Sequence, residues 1–113
     1  MIAQYQELVN GLQSIWGCPF AENGWTSRPN VDSWGVVTLD YEPDALHGDD
    51  MKQIRAFEGT VDLFSKKKDG DSFIPLIEEA LSVTCEGCWH LNSHQWEQKD
   101  GVFHWEWVFQ VED

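Results

Sequence analysis

Cys85 and Cys88 stand three positions apart, with His90 and His94 just beyond them. Thiolates and imidazoles are zinc ligands, so this run is the first place where residue types suggest chemistry. Read as an uninterrupted strand, it puts Cys88, His90 and His94 on one side. Residues two and six apart on a strand lie roughly 7 and 20 Å apart, too far for His94 to close a tetrahedron with Cys88. A single Cys-x-x-Cys without a second pair is a weak zinc signal. It is a weaker redox signal, because the pair follows a helical pattern, whereas a depressed thiol pKa calls for a helix N-terminus. The metal reading is a small zinc-binding protein or metal-dependent enzyme using Cys85, Cys88, His90 and His94.

A second cluster, Asp44, His47, Asp49 and Asp50, offers the oxygen ligands that calcium or magnesium prefer, but its spacing fits no EF-hand loop. Glu106 with His94 reads as a cross-strand pair rather than an acid–base dyad. There is no nucleophile elbow, no glycine-rich phosphate loop, and no pair of carboxylates in evidently different surroundings. The residues therefore give no catalytic or cofactor-binding group, and a non-enzyme is expected.

The elements that would position these residues are legible from periodicity. Cys88 to Val111 alternates with period two on both sides of Lys99-Asp100-Gly101, the pattern of a β-hairpin buried on one face. Phe103, Trp105, Trp107, Phe109 and Val111 share the apolar side. A three-residue loop with Gly101 left-handed sets Phe109 opposite Leu91 and Val111 opposite Trp89, with His94 beside Glu106 and Trp96 beside His104. Upstream, Ile2, Tyr5, Leu8, Val9, Leu12, Ile15 and Trp16 follow helical spacing up to Gly17 and Pro19. Cys18 to Asp32 reads as a loop from which Trp25 folds back onto the core. Ser33 to Tyr41 is a strand, and the acidic stretch 42–50 is long for a hairpin connection. Met51 to Phe64 is a strand whose alternation changes phase near Ala56–Phe57, where a β-bulge would reconcile it. Ser72 as N-cap and Pro75 in the first turn open a second helix, with Phe73, Ile74, Ile77 and Leu81 apolar and Glu78 and Glu79 in water. The order α-β-β-α-β-β predicts an α+β domain spanning residues 1–113: a mostly antiparallel four-stranded sheet with two helices on one face.

Composition narrows the function further. Seven basic residues against twenty acidic ones give a formal charge of −13. That argues against a general grip on nucleic-acid phosphates and against anionic membrane surfaces. The basic run Lys66-Lys67-Lys68 sits at a turn beside Asp69 and Asp71. Three cysteines do not make a disulfide framework, no signal peptide is apparent, and no run approaches the roughly twenty apolar residues of a membrane span. The expectation is a reduced, cytosolic chain.

The succession of an amphipathic N-terminal helix, a strand reading WGVVTLDY, an extended turn ending in Asp49-Asp50, a long strand reading RAFEGTVDLFSKKKD, a helix reading FIPLIEEAL and a closing VFHWEWVFQV resembles the tail terminator, or tail completion, proteins of long-tailed bacteriophages and prophages. The resemblance covers most of the chain and lies in pattern. It implies a structural protein of the virion tail, made in the host bacterial cytoplasm. Such a protein assembles as a homo-oligomeric, often hexameric, ring that stops tail-tube polymerisation and faces the head–neck connector. Its partners would be further copies of itself, the major tail tube protein and the connector protein, with DNA passing through the channel without specific binding. The loop with Asp44, His47, Asp49 and Asp50 and the edge of the hairpin are the expected subunit or channel contacts. A negative channel suits this role, because phosphates slide past it without sticking.

Overall fold

The computed structural model describes residues 2–40 and 56–112. Their elements are α1 (Ala3–Gln13), β1 (Phe20–Glu22), β2 (Ser33–Leu39), β3 (Ala56–Ser65), a 3-10 turn at Gly70–Ser72, α2 (Ile74–Cys85), β4 (Trp89–Glu97) and β5 (Val102–Glu112). The strands form one sheet in the order β1-β2-β3-β5-β4. The class is α+β as expected, but the sheet has five strands and is mixed, because β1 runs parallel to β2. The three-residue β1 lies between Pro19 and an Asn-Gly pair, too short for any periodicity to show.

Period-two alternation decides which sheet face is buried. On β5, Trp105, Trp107, Phe109 and Val111 are buried, while His104, Glu106 and Val108 are half-buried and Gln110 is exposed. Val37 on β2 and Val61 and Leu63 on β3 share the buried side. Both helices pack there, through Tyr5, Leu8, Val9 and Leu12 of α1 and Ile77, Leu81 and Cys85 of α2. Burying that many large side chains, at roughly 1.5–3 kcal/mol each, makes this layer the core. Gly59 pairs with Phe109 across the ladder, and the ring occupies the space that a side chain on Gly59 would need.

Several expectations are corrected. The first helix ends at Gln13, three turns long, so Trp16 falls beyond it and is 92% exposed. The α2 N-cap position is Phe73, without a side-chain cap; Ser72 has φ 69° and does not cap, although Pro75 does lie in the first turn. Glu78 does not point to water: its Oε2 accepts a hydrogen bond from the Trp107 indole N–H at 2.9 Å. The β3–β5 ladder runs without a shift from Ala56–Glu112 to Ser65–Phe103, and the residues before Ala56, where the phase change began, lie outside the described set.

The hairpin register also differs. The last pair is Glu97 with Val102, leaving the four-residue loop 98–101 closed by Gly101 N–H to the Glu97 carbonyl at 2.8 Å. Gly101 is left-handed, with φ 68°, as expected. A shift between Leu91 and Ser93 then adds one residue on β4. Phe109 consequently faces Trp89, not Leu91, His94 faces Trp105, not Glu106, and His104 faces Gln95, not Trp96. A bulge re-aims every side chain beyond it, and polar Asn92-Ser93 carries no apolar alternation that would reveal one.

Candidate functional site

The bulge at Asn92 reorders the residues that first suggested metal chemistry. His90 pairs with Val108 on the open face of the sheet, while His94 pairs with Trp105 on the helix face. The two imidazoles thus stand on opposite sides of β4. His94 stacks on the Trp105 indole, with ring centroids 4.5 Å apart and planes 12° from parallel. Cys85 ends α2 and is buried, its thiol pushed up to about 12 by burial and then by the neighbouring Cys88. Cys88 is exposed beside a cleft of about 420 Å³ that Gln4, Glu7 and Glu112 also line. A thiol raised in this way is a poor ligand and a poor nucleophile, because both roles belong to the thiolate. Among the described residues, no group of three or more His, Cys, Asp or Glu side chains is placed to hold a metal ion. Asp44, His47, Asp49 and Asp50 lie outside the described residues.

The open face carries a constellation that the expected register hid. His104 sits between two carboxylates: Nε2 is 2.7 Å from Asp62 Oδ1 on β3, and Nδ1 is 2.7 Å from Glu97 Oε2 at the end of β4. Carboxylates only accept, so both ring nitrogens must donate, which only the imidazolium can do. Burial of the ring works against the charge, but the hydrogen bonds and charges of Asp62 and Glu97 outweigh it and raise the pKa above the ordinary 6.5. An imidazole held at both nitrogens is not a free general base. It ties three neighbouring strands together.

Stacking continues that tie across the sheet. The His104 ring lies 4.3 Å from Phe64, Phe64 lies 5.8 Å from Trp34, and the Arg28 guanidinium sits 4.5 Å over Trp34. Arg28 also donates to the Asp100 carbonyl in the hairpin loop, at 3.2 Å. Trp25 folds back onto β2, its indole N–H donating to the Gly35 carbonyl at 3.0 Å, but it is not among the residues packed in the core. Glu106 does not pair with His94, as the expected register had it, but accepts from the Asn92 amide at 3.0 Å. The open face is thus braced by polar and aromatic contacts between strands, with His104 held between Asp62 and Glu97.

The third feature is the sheet margin. β4 is the outermost strand, and it presents Leu91, 45% exposed, and Trp96, 51% exposed, on the helix side. Trp96 leans on Phe103 at 4.7 Å, extending an aromatic row with His94 and Trp105. Trp105 and Trp107 are buried on the helix face and Trp34 on the open face, whereas Trp96 on the outermost strand is half exposed.

A scan against protein-family models finds no match, and a search of the curated proteins finds none either.

Proposed function

We propose that this chain is a structural, non-enzymatic protein of phage tail assembly, resembling a tail terminator that caps the tail tube and joins it to the head–neck connector. The observation that carries the reading is the order of its parts: apart from the added three-residue β1, an N-terminal helix, a strand, a long strand, a second helix and a closing tryptophan-rich hairpin, with both helices on one face of one sheet. That is the succession on which the sequence resemblance rests.

Other features support the same role. His104, the best-organised titratable group among the described residues, braces strands instead of lining a reaction site. The formal charge of −13 would give a ring channel a negative lining past which DNA slides. None of the described helices is long and apolar enough to cross a membrane. On this reading the protein works in the virion tail and is assembled in the host cytoplasm. Copies contact one another through the acidic stretch 42–51 and the hairpin edge, and heterologous contacts whose rotation closes form the ring.

Co-sedimentation with purified tail tubes, combined with light scattering of the free and tube-bound protein, tests the proposal. Binding at a few copies per tube, independent of tube length, is expected. Binding in proportion to tube length, or none, would overturn the capping role.

A further inference from the structure

We propose that the outer edge of β4 is a self-pairing edge, on which a second copy of this chain docks antiparallel about a two-fold axis between Asn92 and Ser93.

The first observation is what β4 lacks. Edge strands are ordinarily blunted by lysine, proline, an inward-pointing charge or a β-bulge, because their outward N–H and C=O groups otherwise recruit another strand; of these β4 has only the bulge at Asn92, which falls on the proposed axis. From Trp89 to Trp96 the sequence WHLNSHQW contains no Asp, Glu, Lys, Arg or Pro. Among the described residues, the sheet order leaves the outer side of this strand without a neighbouring strand. A chain carrying a formal −13 repels its own copies, so a homotypic contact belongs where neither copy brings charge. A cationic partner would instead be expected to meet carboxylates, and β4 supplies only Glu97, which is already held by His104.

The second observation is the pattern of sides. Before the bulge, Trp89 and Leu91 lie on the helix side and His90 on the open side. After it, His94 and Trp96 lie on the helix side and Ser93 and Gln95 on the open side. Read outward from the Asn92–Ser93 bond, both directions give the same sequence of sides. A two-fold axis there matches side for side over the whole strand: Trp89 with Trp96, His90 with Gln95, and Leu91 with His94 of the second copy. Isologous contacts have this reciprocal form. The two half-exposed apolar side chains, Leu91 and Trp96, then each gain a large neighbour at cross-strand distance, roughly 4.5–5.5 Å between Cβ atoms. A single long sheet would run through both copies.

The tail-assembly reading gives this same hairpin edge to the ring, so the isologous pair is proposed for the free chain, and its test is read without tail tube. Sedimentation velocity of the full-length chain across concentration reads the pairing directly. A dimer is expected that tightens on the order of tenfold between about 0.05 and about 0.5 M NaCl, as salt screens the repulsion between like-charged copies. Trp96→Lys, a change at a half-exposed site, should abolish the dimer while leaving the circular dichroism spectrum unchanged. The register is read by mixing Leu91→Cys and His94→Cys single variants in a Cys88→Ser background: mild oxidation should give a covalent heterodimer. The pair Leu91→Cys with Gln95→Cys, on opposite sides, should not. A chain that stays monomeric at high salt overturns the proposal. So does a dimer unaffected by Trp96→Lys that gives no Leu91–His94 cross-link, which would place self-association elsewhere. Backbone amides of β4 that gain exchange protection only when tail tube is added would assign the edge to a different chain.

Discussion

Replacing His104 with alanine removes the cation that stands between Asp62 and Glu97. Both carboxylates accept from the ring at 2.7 Å, and the three side chains are 17%, 18% and 25% exposed. Hydrogen bonds to charged groups contribute about 1.5–3 kcal/mol each, and partial hydration discounts them, so His104→Ala is expected to cost about 2–3 kcal/mol at pH 6. The cost must fall with pH. In the unfolded chain the imidazole titrates near its ordinary 6.5, and in the folded chain it titrates higher. The stabilisation from its charge is therefore fully present below about 6.5 and is lost as pH rises through the folded value. A neutral ring can donate to only one of the two carboxylates, so by pH 9 the cost of the substitution should drop to about 1 kcal/mol. Urea denaturation of the wild type and His104→Ala at pH 6, 7.5 and 9 measures the difference, with exposed His90→Ala as control. A wild-type-minus-variant difference that is flat or rises with pH would refute a charged, doubly bonded His104.

Gly59→Ala should destabilise by about 2–3 kcal/mol or prevent folding, because its Cβ would overlap the Phe109 ring and the Thr38 carbonyl oxygen; the urea midpoint reports it. Trp107→Phe removes the bond to Glu78 and leaves a void in the core, an expected loss of about 2–3 kcal/mol by the same assay. A thiol reagent should label Cys88 quickly in the folded protein. Cys18 and Cys85, both buried with thiols pushed up to about 12, should react only as the chain unfolds; rapid labelling of more than one thiol would contradict that assignment.

How much the sequence disclosed depended on how strongly burial imposed a period. The apolar face of β5 was readable because the helices bury Trp105, Trp107, Phe109 and Val111, while the other face keeps half-buried His104, Glu106 and Val108 and a buried Val102. The stripes of α1 and α2 were readable for the same reason, though the end of α1 was not: Ile15 and Trp16 keep the spacing while the helix has already stopped at Gln13. β1 is three residues long and parallel, held by its pairing with β2 rather than by its own pattern. The bulge at Asn92 arises from how two strands align, and the hairpin's own alternation favoured a shorter loop. In the observed register the expected pairs His94–Glu106 and Trp96–His104 do not form, and Glu97–His104–Asp62 stands in their place. That cluster joins three strands and depends on the register of two ladders, so no local spacing signals it. Likewise Glu78 looked like a solvated helix residue because its partner, Trp107, lies 29 positions away.

Whether the protein ends a tail tube, as proposed, is read from the length of tubes assembled in its presence. Purified tail tube protein polymerised with and without the full-length chain can be imaged by electron microscopy and the lengths compared. Shorter tubes are expected, arrested in proportion to the amount of chain added, with a ring of extra density at one end only. Tubes of unchanged length with bare ends would contradict it.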